Sequence, residues 1–144
     1  SIITLEALLR LKMKDEYIQP KEFISLLEQT HLILPVGRWV LKTAMESWKE
    51  LQQLIPGLKM NVNMSFVQVN QNNSVQMIID IIKEIDTTLL GIEITETGEL
   101  NSNQYYNFCI GLEKGKRALI LDDYGSGFSN CTSFNSGKTT IYKN

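Results

Sequence analysis

Leu58-Lys59-Met60-Asn61-Val62-Asn63-Met64-Ser65 alternates apolar and polar residues and reads as a β-strand. Immediately upstream, Pro56-Gly57 ends a helix. That helix opens at Pro35 and carries Val36, Val40, Ala44, Trp48, Leu51 and Ile55 at helical spacing, which makes one apolar stripe. Further back, Pro20 suits the first position of a helix running to Thr30, with Phe23, Ile24 and Leu27 on one face. Residues 11–19 are polar and read as a loop, and residues 2–10 (IITLEALLR) read as a strand, although EALLR alone would suit a helix. Downstream, residues 75–85 predict a helix that buries Met77, Ile78, Ile81, Ile82 and Ile85. Residues 89–95 (LLGIEIT) form the next strand, residues 104–113 a helix stopped by Gly115, and residues 117–121 (RALIL) a strand closed by Asp122-Asp123. Helices that separate successive strands predict an α/β fold with mainly parallel strands and crossover helices.

The 144 residues are ordinary for one domain and short for two. Apolar residues make up 43% and charged residues 21%, which is enough apolar surface for a packed core. The net charge of −2 gives no basic field for a nucleic-acid polymer, but it leaves room for a local site that takes a small anion. Cys109 and Cys131 have neither CxxC spacing nor a nearby histidine, which argues against a thiolate metal site and predicts two free thiols. The opening Ser1-Ile2-Ile3-Thr4-Leu5 is no signal peptide, and no stretch approaches the roughly 20 apolar residues of a membrane span. The expected location is cytoplasmic, with any membrane anchor elsewhere in a longer chain.

Residues able to do chemistry collect on the strands. Asn63 lies near the end of its strand, Glu93 within the next, and Asp122 and Asp123 close the one after that. Glu6 stands between apolar neighbours in the first strand, where a carboxylate is costly unless paired or bound to metal. In a parallel α/β sheet or barrel the site lies at the carboxyl ends of the strands, so these groups are expected to converge. Carboxylates and an amide gathered in one place suit hard cations such as Mg²⁺ or Mn²⁺. Two adjacent aspartates let one carboxylate bridge two metals, an arrangement that activates water and clamps a phosphodiester. Singly, an acid at a strand end is more often solvated or a helix cap. A general acid/base pair of Glu93 and Glu96 is the weaker reading, because their spacing puts them on opposite faces of a straight strand.

Six motifs then fall in order. They are Glu6-Ala7-Leu8-Leu9-Arg10, Pro20-Lys21-Glu22-Phe23-Ile24, Leu34-Pro35-Val36-Gly37-Arg38-Trp39-Val40-Leu41, Val62-Asn63-Met64-Ser65, Glu93-Ile94-Thr95-Glu96, and Asp122-Asp123-Tyr124-Gly125-Ser126-Gly127-Phe128-Ser129. Together they resemble the EAL domain family over nearly all of residues 5–129. The resemblance implies a partial TIM-like (β/α) barrel of the EAL type. It also implies a phosphodiesterase that hydrolyses cyclic-di-GMP to linear pGpG with two divalent cations, Mg²⁺ or Mn²⁺. By matching motif, Glu6, Asn63, Glu93 and Asp122 would hold one metal, and Asp122 with Asp123 would serve the second. Arg10 would contact a ligand phosphate through its planar fork. Glu96 would brace the loop after Asp123, and Lys143 falls at the spacing of a lysine that assists the attacking water. Implied partners are cyclic-di-GMP, a second copy in a homodimer, and sensory or cyclase domains attached in the same protein. The alternative is a catalytically inactive EAL-type receptor for cyclic-di-GMP.

Some positions depart from the family pattern. Leu11 stands where a tryptophan is usual, and the family's E-x-T-G becomes Glu28-Gln29-Thr30-His31. The only histidine, His31, has no ligand partner at useful spacing and reads as structural or exposed. A complete TIM barrel takes about 250 residues. The chain is therefore expected to be one partial domain over residues 1–144, a piece of a longer protein or a truncated product. Residues 131–144 (CTSFNSGKTTIYKN) are polar and read as a divergent or poorly ordered tail.

Overall fold

The computed structural model describes residues 3–83, 90–94, 102–114 and 119–121. Strand β1 (Thr4–Ala7) leads into the short strands β2 (Leu11–Met13) and β3 (Glu16–Ile18). Helices α1 (Pro20–Gln29) and α2 (Ile33–Leu54) follow, and then strand β4 (Lys59–Met64). A four-residue helix α3 (Phe66–Val69) precedes α4 (Ser74–Ile82), β5 (Leu90–Ile94), α5 (Ser102–Lys114) and β6 (Leu119–Leu121). The strands separated by helices form one sheet in the order β1-β4-β5-β6, and every pairing in it is parallel. This is the α/β crossover architecture expected from the chain, part of a TIM-like barrel.

The ladder rows fix which residues share a face. Asn63 lies opposite Glu93, Asn61 opposite Gly91, and Glu6 opposite Asn61. Because side chains alternate along a strand, Met60, Val62 and Met64 occupy the other face of β4. That face is the core. It packs with Leu41, Ala44, Met45 and Trp48 of α2, Ile78 and Ile82 of α4, Leu90 and Ile92 of β5, and Phe108 and Leu112 of α5. The expected stripe on α2 holds at Ala44 and Trp48, but Leu41 and Met45 beside it are more deeply buried than Val40 or Leu51. The Trp48 indole also donates a hydrogen bond of 2.7 Å to the Leu58 carbonyl, joining α2 to the entry of β4.

Four expectations need correction. Residues 11–19 are not a loop, because β2 and β3 pair as an antiparallel hairpin. Their turn, Lys14-Asp15, uses Lys14 with φ of 57°, a left-handed conformation that Asn or Gly usually supplies, so the Asn-Gly or Asp-Gly signal of a hairpin was absent. The first strand is shorter than residues 2–10, ending at Ala7. Helix α2 starts at Ile33, two residues before Pro35; a proline fits there because the first N–H groups of a helix need no helical partner. Cys109, expected as a free thiol, is disulfide-bonded, and its partner lies outside the described residues, as do residues 131–144. No helix among the described residues is long and apolar enough to cross a membrane.

His31 is exposed, as expected, and its role is conformational. It follows Thr30, the C-cap of α1, with φ of 60°. A residue with a Cβ is strained in that region by about 1–2 kcal/mol, and histidine tolerates it better than most. Glycine removes the strain but adds unfolded-state entropy. His31→Gly is therefore expected to raise stability by about 0.5–1 kcal/mol in urea denaturation. A less stable glycine variant would contradict the left-handed cap.

Candidate functional site

Three strands each place a polar residue one position before their carboxyl end: Glu6 on β1, Asn63 on β4 and Glu93 on β5. The side chains meet. Asn63 Nδ2 donates to Glu6 Oε1 at 2.9 Å. Glu93 is buried, and it lines the same cavity of about 340 Å³. Glu6 itself is exposed rather than enclosed in an apolar strand, so its partner and the solvent carry its charge. With Nδ2 turned to Glu6, Asn63 keeps its amide oxygen for a further partner.

Arg10 stands on the rim of this cavity, exposed, with Nη1 donating to the Leu9 carbonyl at 2.9 Å. The cavity is apolar on the side of α1 and α2, where Ile24, Ile33 and Val36 line it. A second pocket shares Glu6 and Arg10, but it opens toward Trp39, Thr43 and Ser47 and reaches neither Asn63 nor Glu93. The oxygen donors are gathered only in the first of these two.

Strand β6 ends at Leu121, opposite Glu93. Asp122 is thus the next residue beyond the row that holds Asn63 and Glu93, although Asp122, Asp123, Glu96 and Lys143 lie outside the described residues. Among the described residues no three His, Cys, Asp or Glu gather as a metal cluster. The described set is two carboxylates and an amide, all hard oxygen donors, which fits Mg²⁺ or Mn²⁺ and not a soft metal.

The end of β4 is held by residues that appear in the sequence motifs but whose contacts with one another the sequence did not announce. Ser65 caps α3: its Oγ accepts from Val67 N at 3.2 Å, and its own N–H donates to Gln68 Oε1 at 3.0 Å. The Ser65 hydroxyl proton goes to Glu28 Oε2 on α1. Gly37 on α2 lies against Gln68, where an added Cβ would sit 1.9 Å from Nε2, so any larger residue there would have to displace the Gln68 amide. The S-x-x-Q capping signature at Ser65 was readable. The link to Glu28 was not, because it spans 37 residues.

The chain belongs to the EAL domain family, whose model matches residues 1–140. It is 30% identical over 142 residues to the probable cyclic di-GMP phosphodiesterase PdeI of Escherichia coli, covering 93% of this chain and 18% of that protein. It is 27% identical over 131 residues to the cyclic di-GMP phosphodiesterase PA2567 of Pseudomonas aeruginosa, covering 88% of this chain and 22% of the relative. Among solved structures, the MucR phosphodiesterase in complex with c-di-GMP superposes with a TM-score of 0.67 at 26% identity, covering 87% of this chain and 54% of that one. The chain thus spans about a fifth of the length of these two curated relatives.

Proposed function

We propose that residues 1–144 are part of an EAL domain that binds cyclic-di-GMP and, in the full-length protein, hydrolyses it to linear pGpG with divalent cations. The observation that carries this reading is the meeting of Glu6, Asn63 and Glu93 in one cavity at the carboxyl ends of three parallel strands. Relatives named as cyclic di-GMP phosphodiesterases support it.

In this reading Glu6, Asn63, Glu93 and Asp122 hold one cation, and Asp122 with Asp123 serves a second. When bound, the cations supply positive charge to the phosphodiester and acidify the attacking water. Arg10, on the cavity rim, orients a ligand phosphate, and its fixed fork of donors holds two oxygens at once. Glu93 and Glu6 arrive on a hydrogen-bonded sheet, so their spacing is set before the ligand binds. Lys143 assists the attacking water, and Glu96 braces the loop that follows Asp123. A homodimer and attached sensory or cyclase domains complete the proposed assembly.

The test is hydrolysis of cyclic-di-GMP by the full-length protein in Mn²⁺, with pGpG separated by chromatography and ligand affinity measured in parallel. Turnover that chelation abolishes is the expected result. Binding without turnover would replace the enzyme by a receptor, and an absence of binding would overturn both readings.

A further inference from the structure

We infer that Glu28 is a positioning residue for the candidate metal centre, acting through Ser65 on the strand end that carries Asn63. This inference rests on the metal-dependent reading above. Glu28 lies in the last turn of α1, where the helix dipole disfavours a carboxylate and where no basic side chain offsets it. A residue that breaks a local rule directs attention to what it does elsewhere in the fold. Its Oε2 accepts the hydroxyl proton of Ser65, which is 6% exposed.

Ser65 has one proton and two lone pairs to place. The proton is directed to Glu28, one lone pair receives Val67 N–H, and the backbone N–H is turned to Gln68. The backbone at residue 65 is therefore held by side chains of α1 and α3 together, and Gln68 is in turn confined by Gly37 of α2. Asn63 sits two residues earlier, near the end of β4, and Ser65, Gln68 and Asn63 line one cavity. Without Glu28 the Ser65 hydroxyl is released to rotate, and the strand end loses its tie to α1. Groups bonded directly to metal ligands commonly change metal affinity or activity by about 10–100-fold, and Glu28, one residue further removed, is expected at the lower end of that range.

The experiment compares the full-length protein with Glu28→Ala and Glu28→Gln. It reads Mn²⁺ affinity by electron paramagnetic resonance, the kcat and KM for cyclic-di-GMP, and the melting temperature. Glu28→Ala is expected to weaken Mn²⁺ binding by about 10-fold and to lower kcat with little change in KM. Glu28→Gln keeps an oxygen that accepts from Ser65 and is expected to restore most of both. A lower melting temperature with Mn²⁺ affinity and kcat unchanged would make Glu28 merely structural and overturn the inference. Failure of the glutamine variant to recover would also overturn it, by removing the hydrogen bond as the cause. If the unsubstituted protein neither binds Mn²⁺ nor turns over ligand, the underlying functional reading falls and takes this inference with it.

Discussion

Asp122→Asn in the full-length protein is expected to lower cyclic-di-GMP hydrolysis by ~10³-fold or more, a barrier increase of about 4 kcal/mol. The residue follows Leu121, and Leu121 closes the ladder row of Asn63 and Glu93. It is also the one residue proposed to serve both cations. Asparagine keeps the shape of the side chain and removes its charge, so the loss falls on the cations and not on packing. Mn²⁺ affinity should fall together with turnover, while the melting temperature should stay within a degree or two. Normal turnover by this variant would remove Asp122 from the centre and, with it, the two-cation reading.

The largest stability effect is expected at Trp48. Its side chain is 5% exposed within the core shared by α2 and the sheet, and its indole N–H binds the Leu58 carbonyl. Trp48→Ala leaves a large cavity, which costs about 3–5 kcal/mol. It also strands a buried carbonyl, worth a further 1–3 kcal/mol or about that. Because domains are stable by only about 5–15 kcal/mol, the variant should be partly or wholly unfolded at 37 °C. Trp48→Phe separates the two contributions, since it keeps most of the volume and loses only the donor; about 1–3 kcal/mol is expected for it. Urea denaturation followed by circular dichroism measures both. An alanine variant as stable as the parent would place Trp48 outside the core.

The fold was legible wherever burial imposes a period. Met60, Val62 and Met64 alternate because one face of β4 meets helices, and Ile78 and Ile82 recur because one side of α4 does. The hairpin of β2 and β3 escaped because Leu11, Met13 and Tyr17 are exposed and Lys14 gives no turn signal. Helix α3 escaped because four residues carry no period, although its capping box was written in the chain. In the site, strand-end position and motif together brought Glu6, Arg10, Asn63 and Glu93 to one cavity. Glu28 was visible only as a motif position; its link to Ser65 stayed hidden because that partner is fixed by how α1 docks, which no local pattern encodes.

The alternation within β4 also bears on how such a domain can change over generations. Residues 60 and 62 belong to the core and Met64 to both core and cavity, whereas Asn63 belongs to the cavity alone, so substitutions at neighbouring positions meet different selective filters. On the proposed reading, a lineage can exchange Asn63 and surrender chemistry while every helix stays seated. The reverse drift, in which the core side decays and activity persists, is closed to it, because the cavity exists only while the sheet does. Silent descendants that keep their shape are therefore the accessible outcome of relaxed selection on this strand.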